Sequence, residues 1–316
     1  MDKFVIEGGT PLQGEIAISG AKNSALPVLA ACLLTAETVT LERIPQVRDI
    51  ATMERLLQHT GAKLTRRNGT VTVEAGAIEH PEAPYDLVKT MRASSLVLGP
   101  LVARCGRARV SMPGGCAIGA RPINLHVNGL EKLGARVRQE HGYIEADAPG
   151  GLHGAAVTFD RISVTGTEDL LMAAVLARGE SVIENAAREP EVVDVADLLI
   201  KMGARIEGAG TSTIRIQGVD RLGGAQHAII ADRIEAGTFL VAGALMRGDV
   251  TIVDCVPEHL RALVAKLREA GAEISEPGPG RIRIRATGKL KSVDMTTEEH
   301  PGFATDLQAQ FMALMT

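Results

Sequence analysis

The amino-acid sequence predicts an α/β fold built from repeated units of about 70 residues. A Gly-Ala pair followed by a charged and then an aliphatic residue begins at positions 61, 134, 203 and 271, at separations of 73, 69 and 68 residues. Apolar residues at helical spacing precede each pair, and two short strands joined by a turn follow it. These three observations predict helices that cover one face of small sheets.

Within each unit the predicted order is helix, strand, helix, strand and strand. A proline stands at the expected first position of the second helix, where its missing N–H breaks no hydrogen bond. The four prolines are Pro45, Pro122, Pro190 and Pro257. The glycine of the Gly-Ala pair takes the left-handed position that ends this helix. In the first unit Asn68-Gly69 joins the two final strands and is typical of a type I′ hairpin turn.

Composition and charge exclude several classes of protein. A net charge of -4, with 45% hydrophobic and 23% charged residues, is typical of a folded domain and argues against disorder and against a general nucleic-acid surface. The chain has no Trp, two Tyr and five Phe, too few for base-stacking platforms or aromatic sugar clefts. Ligand recognition is therefore expected to use charge and backbone groups.

The sequence also lacks signals for export or membrane insertion. Its longest uncharged run, residues 23–36, has 14 residues, whereas a bilayer core needs about 20 apolar residues. The amino-terminal MDKFVIEGG does not resemble a signal peptide, and no cysteine stands in a C-x-x-C pair. We therefore expect a cytoplasmic protein with free thiols at Cys32, Cys105, Cys116 and Cys255.

The second unit carries an insertion. From the residue that opens its strand to the helix proline there are 16 residues, against 8, 11 and 9 in the other units. The extra length lies in the loop 111–122, SMPGGCAIGARP. Cys116 in this loop is either a small buried hydrophobe, as expected of Cys32, or a reactive group. A free thiol has a pKa near 8.5, and Arg121 would draw it towards neutrality, where it can act as a general acid or nucleophile.

The first helix of each unit begins with polar or charged residues, and these residues have two interpretations. They are Lys22-Asn23, Arg92, Thr165-Gly166-Thr167, Asp232-Arg233 and Thr305-Asp306. One reading is helix caps and surface charge. The other is an anion site, since helix N-termini expose N–H groups and partial positive charge. Basic residues are the more informative here, because a cation opposes the helix dipole unless an anion is bound.

Thr305 is also expected to open a fifth unit. The residues Thr305 to Gln308 fit a capping box, and the helix that they start runs to the end of the sequence. The sequence is therefore expected to end within a repeat.

Several familiar catalytic motifs are missing from the sequence. There is no P-loop, no G-x-G-x-x-G fingerprint, no G-x-S-x-G elbow and no H-E-x-x-H, and the eight histidines have no pair at ligand spacing. We therefore expect neither a metal nor a cofactor. The charged residues around Pro190, namely Arg188, Glu189 and Glu191, are expected to be solvated at the start of a helix.

Six segments carry a resemblance to a known family. They are GAKNSALPVLAACLL (21–35), PYDLVKTMRASSLVLGPLVAR (84–104), MPGGCAIGARPINLH (112–126), IENAAREPEVVD (183–194), RIEAGTFLVAGA (233–244) and HPGFATDLQAQF (300–311). Together they resemble the UDP-N-acetylglucosamine 1-carboxyvinyltransferases, a family of enolpyruvyl transferases. The cysteine loop distinguishes this family from its sister, the 3-phosphoshikimate 1-carboxyvinyltransferases.

The resemblance implies a two-lobed enolpyruvyl transferase fold, an inside-out α/β barrel with its site between the lobes. Residues 22–230, with the cysteine loop 111–122, are expected to form the first lobe. Residues 1–21 with 231–316 are expected to form the second lobe. Six units of about 70 residues would need about 420 residues. The second lobe is therefore expected to be incomplete. The resemblance implies that further arginines and a nucleotide contact of the family come from the missing part, so weak substrate binding and very slow turnover, if any, are expected.

The resemblance also implies an activity. The family transfers the enolpyruvyl group of phosphoenolpyruvate to the 3′-hydroxyl of UDP-N-acetylglucosamine and releases phosphate, the first committed step of peptidoglycan synthesis. The matching motifs imply that Cys116 is the general acid and that Asp306 is the base for the sugar hydroxyl. They also imply that Lys22 and Arg121 hold phosphoenolpyruvate, and that Asn23 lies where the two substrates meet. The remaining expected contacts, to the nucleotide sugar, are Arg92, Arg121, Pro122, Ile123, Asn124, Leu125, Arg161, Ser163 and Val164.

Three alternatives stay open from the sequence. The first is the 3-phosphoshikimate enzyme, which the cysteine loop disfavours. The second is a non-catalytic nucleotide-sugar-binding protein, which would bind its ligand without cysteine reactivity. The third is an RNA-end-processing enzyme built from related units, which would need a nucleotidyl-accepting histidine and a more basic surface. Protein partners are not indicated by the sequence.

Overall fold

The chain forms two compact units. The computed structural model describes residues 3–5, 7–89, 91–112, 123–286 and 288–316, and leaves out the side chain of Arg92. The large unit is Gly20–Ile230, and the small unit is Met1–Ser19 with Ala231–Thr316.

The secondary structure is named in chain order, beginning with β1 (Gln13–Ala17). The first repeat contains α1 (Lys22–Ala31), β2 (Thr38–Glu42), α2 (Arg48–His59), β3 (Lys63–Arg67) and β4 (Thr70–Glu74). The second contains β5 (Glu82–Ala83), α3 (Tyr85–Val88), α4 (Leu98–Cys105), β6 (Arg107–Ser111), α5 (Asn124–Lys132), β7 (Arg136–Glu140) and β8 (Tyr143–Asp147). The third contains β9 (Ala156–Thr158), α6 (Val164–Ala174), β10 (Glu180–Glu184), α7 (Pro190–Lys201), β11 (Arg205–Glu207) and β12 (Thr213–Gln217).

The fourth repeat lies in the small unit. After β13 (Ala225–Ala228) it contains α8 (Arg233–Leu245), β14 (Asp249–Val253), α9 (Arg261–Ala270), β15 (Glu273–Gly278) and β16 (Arg281–Arg285). The helix α10 (Gln308–Met315) follows this repeat. Short 3-10 helices occupy Cys32–Leu34, Arg92–Val97, Pro257–Leu260 and Thr305–Leu307. The predicted order of helix, strand, helix, strand and strand is confirmed in all four repeats, although in the second the first helix is divided.

Each repeat forms an open sheet with a fourth strand besides the three that the repeat pattern predicts. The strand orders are β13-β2-β4-β3, β5-β6-β8-β7, β9-β10-β12-β11 and β1-β14-β16-β15. In each sheet the first of these strands is parallel to its neighbour and the other pairs are antiparallel. In the second and third repeats the added strand stands at the start of the repeat, before its first helix.

In the first and fourth repeats the added strands are exchanged. The strand β1 leads along the chain into α1 of the large unit, yet it pairs with β14 of the small unit. The strand β13 leads into α8 of the small unit, yet it pairs with β2 of the large unit. The sheet of the first repeat is thus completed by the strand that precedes α8, and the sheet of the fourth repeat by the strand that precedes α1.

The Gly-Ala pairs end the second helices as predicted. The glycines have left-handed φ angles of 109°, 93°, 102° and 105° at Gly61, Gly134, Gly203 and Gly271. The following alanine N–H donates to the carbonyl five residues earlier at 3.1, 3.0, 2.9 and 3.0 Å, respectively. This pattern is the Schellman motif, which satisfies the last carbonyls of a helix and turns the chain into the next strand.

The predicted hairpin turn is confirmed, and one helix-proline prediction is wrong. Asn68 and Gly69 both have positive φ angles, of 46° and 79°, as a type I′ turn requires. Pro190 begins α7, and Pro257 begins the 3-10 helix before α9. Pro45, however, lies three residues before α2, buried in an extended segment after the left-handed Arg43. Pro122 lies outside the described residues.

Each unit has its own hydrophobic core. In the large unit the alternating side chains of β2 and β4 that face the helices, such as Leu41 and Val71, are fully buried. In the small unit Ile252 and Ile284 pack with Phe311 of α10. Among the residues that the structure describes, no helix is both long enough and apolar enough to cross a bilayer.

Substitution of Gly203 tests the repeated helix ending. An added Cβ at Gly203 meets no heavy atom within 4 Å, so Gly203→Ala changes only the cost of the left-handed backbone. We expect the free energy of unfolding to fall by about 1–2 kcal/mol in urea titrations. Gly150→Ala is the matched control, since its Cβ site is also open and its φ is not left-handed. Equal stability of the two variants would contradict the assignment.

Candidate functional site

Near the start of α1, the large unit brings side chains of three helices together. Lys22, the first residue of α1, places its Nζ 3.8 Å from Oδ2 of Asp49 at the start of α2. Ser24, in the same turn of α1, donates from its hydroxyl to Oδ2 of Asp194 on α7. The amino-terminal parts of α1, α2 and α7 therefore lie side by side.

Two further helix starts join this group. Nε2 of His126, the third residue of α5, lies 3.2 Å from the hydroxyl oxygen of Thr165 in the first turn of α6. In the same turn Thr167 accepts a hydrogen bond of 3.0 Å from the N–H of Ala187, just before α7. The large unit thus gathers the amino-terminal parts of five helices at one end.

Gathered helix starts favour an anionic ligand. The first N–H groups of a helix have no partner within the helix, and together they carry about half a positive charge. The first turn of α1 contains no acidic residue, and the side chain of Lys22 is 43% exposed. This basic residue at a helix start agrees with the prediction that the helix starts form an anion site. Arg92 begins the 3-10 helix Arg92–Val97, but its side chain lies outside the description.

The structure locates most of the other predicted site residues at helix starts. Asn23 is the second residue of α1, Ile123 immediately precedes α5, and Asn124 and Leu125 are its first two residues. Arg161 is exposed in the bend before α6. Cys116, Arg121 and Pro122 lie outside the described residues.

Some of the polar residues at helix starts are caps. The hydroxyl of Ser163, before Val164 at the start of α6, accepts a hydrogen bond of 3.1 Å from the N–H of Gly166. Asp232 caps α8 by accepting from the N–H groups of Ile234 and Glu235, at 2.8 and 3.0 Å. The cap interpretation is confirmed for Asp232, whereas α6 is capped by Ser163 and not by a residue of the predicted segment Thr165 to Thr167.

The expected capping box at Thr305 is wrong. The 3-10 helix Thr305–Leu307 is preceded by Ala304, and no side chain caps it. The tighter 3-10 turn moves the α-helical start to Gln308, so the reciprocal bonds of a capping box do not form. Asp306 is exposed as the second residue of the 3-10 helix.

Beneath the gathered helix starts lie buried acids that the sequence analysis did not select. The carboxylate of Asp169, on α6, accepts from the N–H of Gly99 at 2.7 Å and from Nδ1 of His126 at 3.2 Å. A carboxylate can only accept, so Nδ1 of His126 carries the proton in this tautomer. Asp169 is fully buried and links α4, α5 and α6. The available sequence signal was the acidic pair 168–169 inside an otherwise apolar helix.

The prediction that Glu189 and Glu191 are solvated is wrong. Glu189 is 7% exposed and Glu191 is 3% exposed. Pro190 begins α7, and the first turn of this helix is buried, together with Val192. Charged residues at a helix start are usually exposed, but here packing of the repeat places them in the interior.

Burial changes the ionisation of Glu168. Glu168 is 2% exposed, and its Oε1 has no hydrogen-bond partner. Burial, followed by the nearby charges of Glu191, Glu189 and Asp169, raises the pKa of Glu168 well above its ordinary value. This group therefore favours the neutral, protonated form among acidic neighbours.

The described cysteines are not activated. Burial raises the pKa of Cys32 to about 12, and Cys32 packs in the core as a small hydrophobe. Burial also raises the pKa of Cys105 and of Cys255. Within the described ranges, no group of three or more His, Cys, Asp or Glu side chains is placed to hold a metal ion.

Comparison with known proteins gives consistent matches over the chain. The family model for EPSP synthase (3-phosphoshikimate 1-carboxyvinyltransferase) matches residues 6–316. The UDP-N-acetylglucosamine 1-carboxyvinyltransferase of Solibacter usitatus (strain Ellin6076) is 72% identical over 316 residues, which are 100% of this chain and 76% of that protein. The protein of the same name from Koribacter versatilis (strain Ellin345) is 62% identical over 320 residues, covering 100% of this chain and 73% of that protein.

Solved structures share the fold. The enolpyruvyl transferase NikO from Streptomyces tendae aligns with a TM-score of 0.85 at 24% identity, covering 98% of this chain and 74% of that one. An EPSP synthase from Acinetobacter baumannii aligns with a TM-score of 0.69 at 18% identity, covering 92% of this chain and 68% of that one. The predicted enolpyruvyl transferase fold is thus confirmed, with open mixed sheets as its units.

The raised pKa of Glu168 predicts a pH-dependent effect of Glu168→Gln. The folded wild type retains a proton that the unfolded chain releases above a pKa of about 4.3, so its stability falls as pH rises towards the folded pKa. Glutamine does not titrate. We therefore expect the stability of the variant relative to wild type to increase by about 1 kcal/mol or more between pH 5 and pH 8. Thermal or urea unfolding of the full chain measures this difference.

The control is Glu131→Gln, at an exposed position of α5. Its stability relative to wild type should change little over the same pH range. The assignment of a retained proton to Glu168 fails if Glu168→Gln shows the same flat profile. A difference in unfolding free energy that is the same at every pH does not test the assignment, because only the change of this difference with pH depends on the retained proton.

Proposed function

Because this chain belongs to the UDP-N-acetylglucosamine 1-carboxyvinyltransferases, within the broader EPSP synthase family, we propose that it transfers the enolpyruvyl group of phosphoenolpyruvate to the 3′-hydroxyl of UDP-N-acetylglucosamine and releases phosphate. The observation that carries the proposal is the 72% identity over the full chain. Four relatives of the same name are 56–72% identical, so the 3-phosphoshikimate reaction is not favoured.

The geometry of the large unit supports polyanionic substrates. Phosphoenolpyruvate and a nucleotide diphosphate sugar both carry phosphate groups, and a chain of net charge -4 must concentrate positive potential locally to hold them. The gathered helix starts and Lys22 supply such a region. The raised pKa of Glu168 reduces the competing negative charge beneath it.

We assign the chemical roles as follows. The sugar hydroxyl adds to C2 of phosphoenolpyruvate and loses its proton to Asp306, while Cys116 delivers a proton to the methylene carbon C3. The tetrahedral ketal then loses a proton from C3 and expels phosphate. Lys22 and Arg121 stabilise the phosphate as charge develops beside it. A thiol near an arginine is a suitable donor, because its pKa moves towards neutrality.

The nucleotide sugar is proposed to contact a second set of residues. Asn23 stands where the two substrates meet, and Arg92 with the segments around α5 and α6 holds the nucleotide and sugar. The segment residues are Arg121, Pro122, Ile123, Asn124, Leu125, Arg161, Ser163 and Val164. Because Ser163 already caps α6, its contribution is expected through the exposed turn that it holds.

We propose that the large and small units correspond to the two lobes of the family. We also place the reaction in the cytoplasm, where its nucleotide-sugar substrate belongs to the precursor stage of peptidoglycan synthesis. The unbridged thiols of Cys32, Cys105 and Cys255 are compatible with such a reducing compartment.

Lys22→Met tests the proposed reaction. Mass spectrometry detects the enolpyruvyl product, and phosphate release gives its rate. Wild type should form product slowly, from UDP-N-acetylglucosamine but not from shikimate 3-phosphate. Loss of the Lys22 charge should lower kcat/KM for phosphoenolpyruvate by about a hundredfold or more. The matched control, Lys63→Met on the exposed edge of β3, should retain wild-type rates.

Formation of product from shikimate 3-phosphate instead would overturn the proposed acceptor. Equal rates for Lys22→Met and Lys63→Met would remove Lys22 from its proposed role.

Alkylation by an epoxide tests the role of Cys116. A thiolate opens the epoxide of fosfomycin, the antibiotic that the family binds through this cysteine, and intact-mass measurement counts the adducts. Wild type and Cys105→Ala should each gain one adduct, because burial raises the pKa of Cys105. Cys116→Ala should gain none. An adduct that persists in Cys116→Ala would exclude Cys116 as the reactive thiol.

A further inference from the structure

We propose that Asp194 is a positioning residue that fixes the first turn of α1 through Ser24, and thereby orients Lys22 and Asn23 towards the substrates. The orienting effect rests on the proposed function, whereas the fixing of α1 does not. Asp194 lies 170 residues from Ser24 in the sequence and belongs to the third repeat.

The contact between the two residues is buried. Ser24 is fully buried, and Asp194 is 2% exposed. The hydroxyl of Ser24 donates to Oδ2 of Asp194, and the N–H of Ile230 donates to the same oxygen at 3.4 Å. A hydrogen bond to a buried carboxylate is stronger than one between neutral groups, and its loss leaves a charged acceptor under-satisfied.

The other carboxylate oxygen is held by a chain of two residues. Nε2 of His227 on β13 lies 3.0 Å from Oδ1 of Asp194, and Nζ of Lys201 lies 3.0 Å from Nδ1 of His227. A lysine ammonium only donates, so Nδ1 accepts and Nε2 carries the proton that reaches Asp194. Both oxygens of Asp194 are therefore committed, which sets the orientation of its carboxylate towards Ser24.

The first turn of α1 depends on this external acceptor. The helix has no acidic residue in its first turn, and no side chain caps its start. Its preceding residue, Ala21, is tied to the same place, because the N–H of Ala21 donates to the carbonyl of Ile230 at 2.8 Å. Asp194 thus supplies from α7, at Ser24, the negative charge that a helix start favours.

Ser24 follows Lys22 and Asn23 directly in the same helical turn. If the turn loses its hydrogen bond to Asp194, the directions of the Lys22 and Asn23 side chains change together. A misplacement of about 1 Å at a catalytic group costs about a hundredfold in rate. The proposed role therefore predicts a catalytic effect that exceeds what a change of fold stability alone would produce.

The test compares Ser24→Ala with Ser181→Ala in the full chain. Ser181, on β10, is 1% exposed and its hydroxyl has no hydrogen-bond partner, so its removal is matched for burial and size without breaking a contact. Hydrogen exchange of the amides at residues 22–26 reports the first turn of α1. Phosphate release at varied phosphoenolpyruvate, at a temperature where all variants are folded, reports the orientation of Lys22 and Asn23.

We expect Ser24→Ala to speed exchange at residues 22–26 by about ten- to a hundredfold, the factor that corresponds to loss of a charge-assisted hydrogen bond. We expect kcat/KM for phosphoenolpyruvate to fall by a similar factor. Asp194→Asn, which keeps the volume and removes the charge, should act in the same direction. Ser181→Ala should stay within about twofold of wild type in both measurements.

The proposal is overturned if Ser24→Ala matches Ser181→Ala in both measurements, or if its exchange rises uniformly over the large unit. It is also overturned if exchange rises locally while kcat/KM stays at the wild-type value. If wild type itself forms no product, the proposed function fails and exchange alone decides: acceleration confined to residues 22–26 supports the fixing of α1 by Asp194, and unchanged exchange rejects it.

Discussion

The architecture of every repeat depends on the hydrogen bond from the alanine of the Gly-Ala pair to the carbonyl five residues earlier. This bond satisfies the carboxyl end of the helix within the repeat and directs the chain into the hairpin. The motif closes only the carboxyl end of each second helix, and the first N–H groups at the other end have no partner within the helix. In the large unit those ends are gathered, so one local motif both shapes the sheets and leaves positive backbone potential at the candidate site.

The interior beneath the site is unusually acidic for a hydrophobic core, and each acid is satisfied differently. Asp169 accepts from a backbone N–H and a histidine, and Asp194 accepts from a serine, a histidine and a backbone N–H. Glu168, which lacks such donors at Oε1, instead takes a raised pKa. A buried carboxylate is tolerated where donors or helix starts offset its desolvation, and it neutralises where they do not.

Local features of the fold could be predicted from the sequence, and long-range ones could not. The Gly-Ala endings and the Asn68-Gly69 turn depend on the conformations of one or two residues, so they are visible in a short segment. The fourth strand of each sheet pairs with a distant segment and carries little pattern of its own; β5 has only two residues. The helix starts that form the candidate site were predicted, whereas the contact of Ser24 with Asp194 joins positions 170 residues apart. Burial of Glu189 and Glu191 likewise follows from the packing of repeats.

The exchange of β1 and β13 makes the large unit a domain inserted into the small one. Its two ends are joined by the hydrogen bond from the N–H of Ala21 to the carbonyl of Ile230, so the two points at which the insert joins the small unit lie close together. Folding of the insert therefore closes a loop of about 200 residues for the small unit and removes most of the entropy cost of bringing β1 to β14. During synthesis from the amino terminus, β1 emerges before the insert and its partner β14 emerges after it, so the order of folding is expected to be insert first and host second.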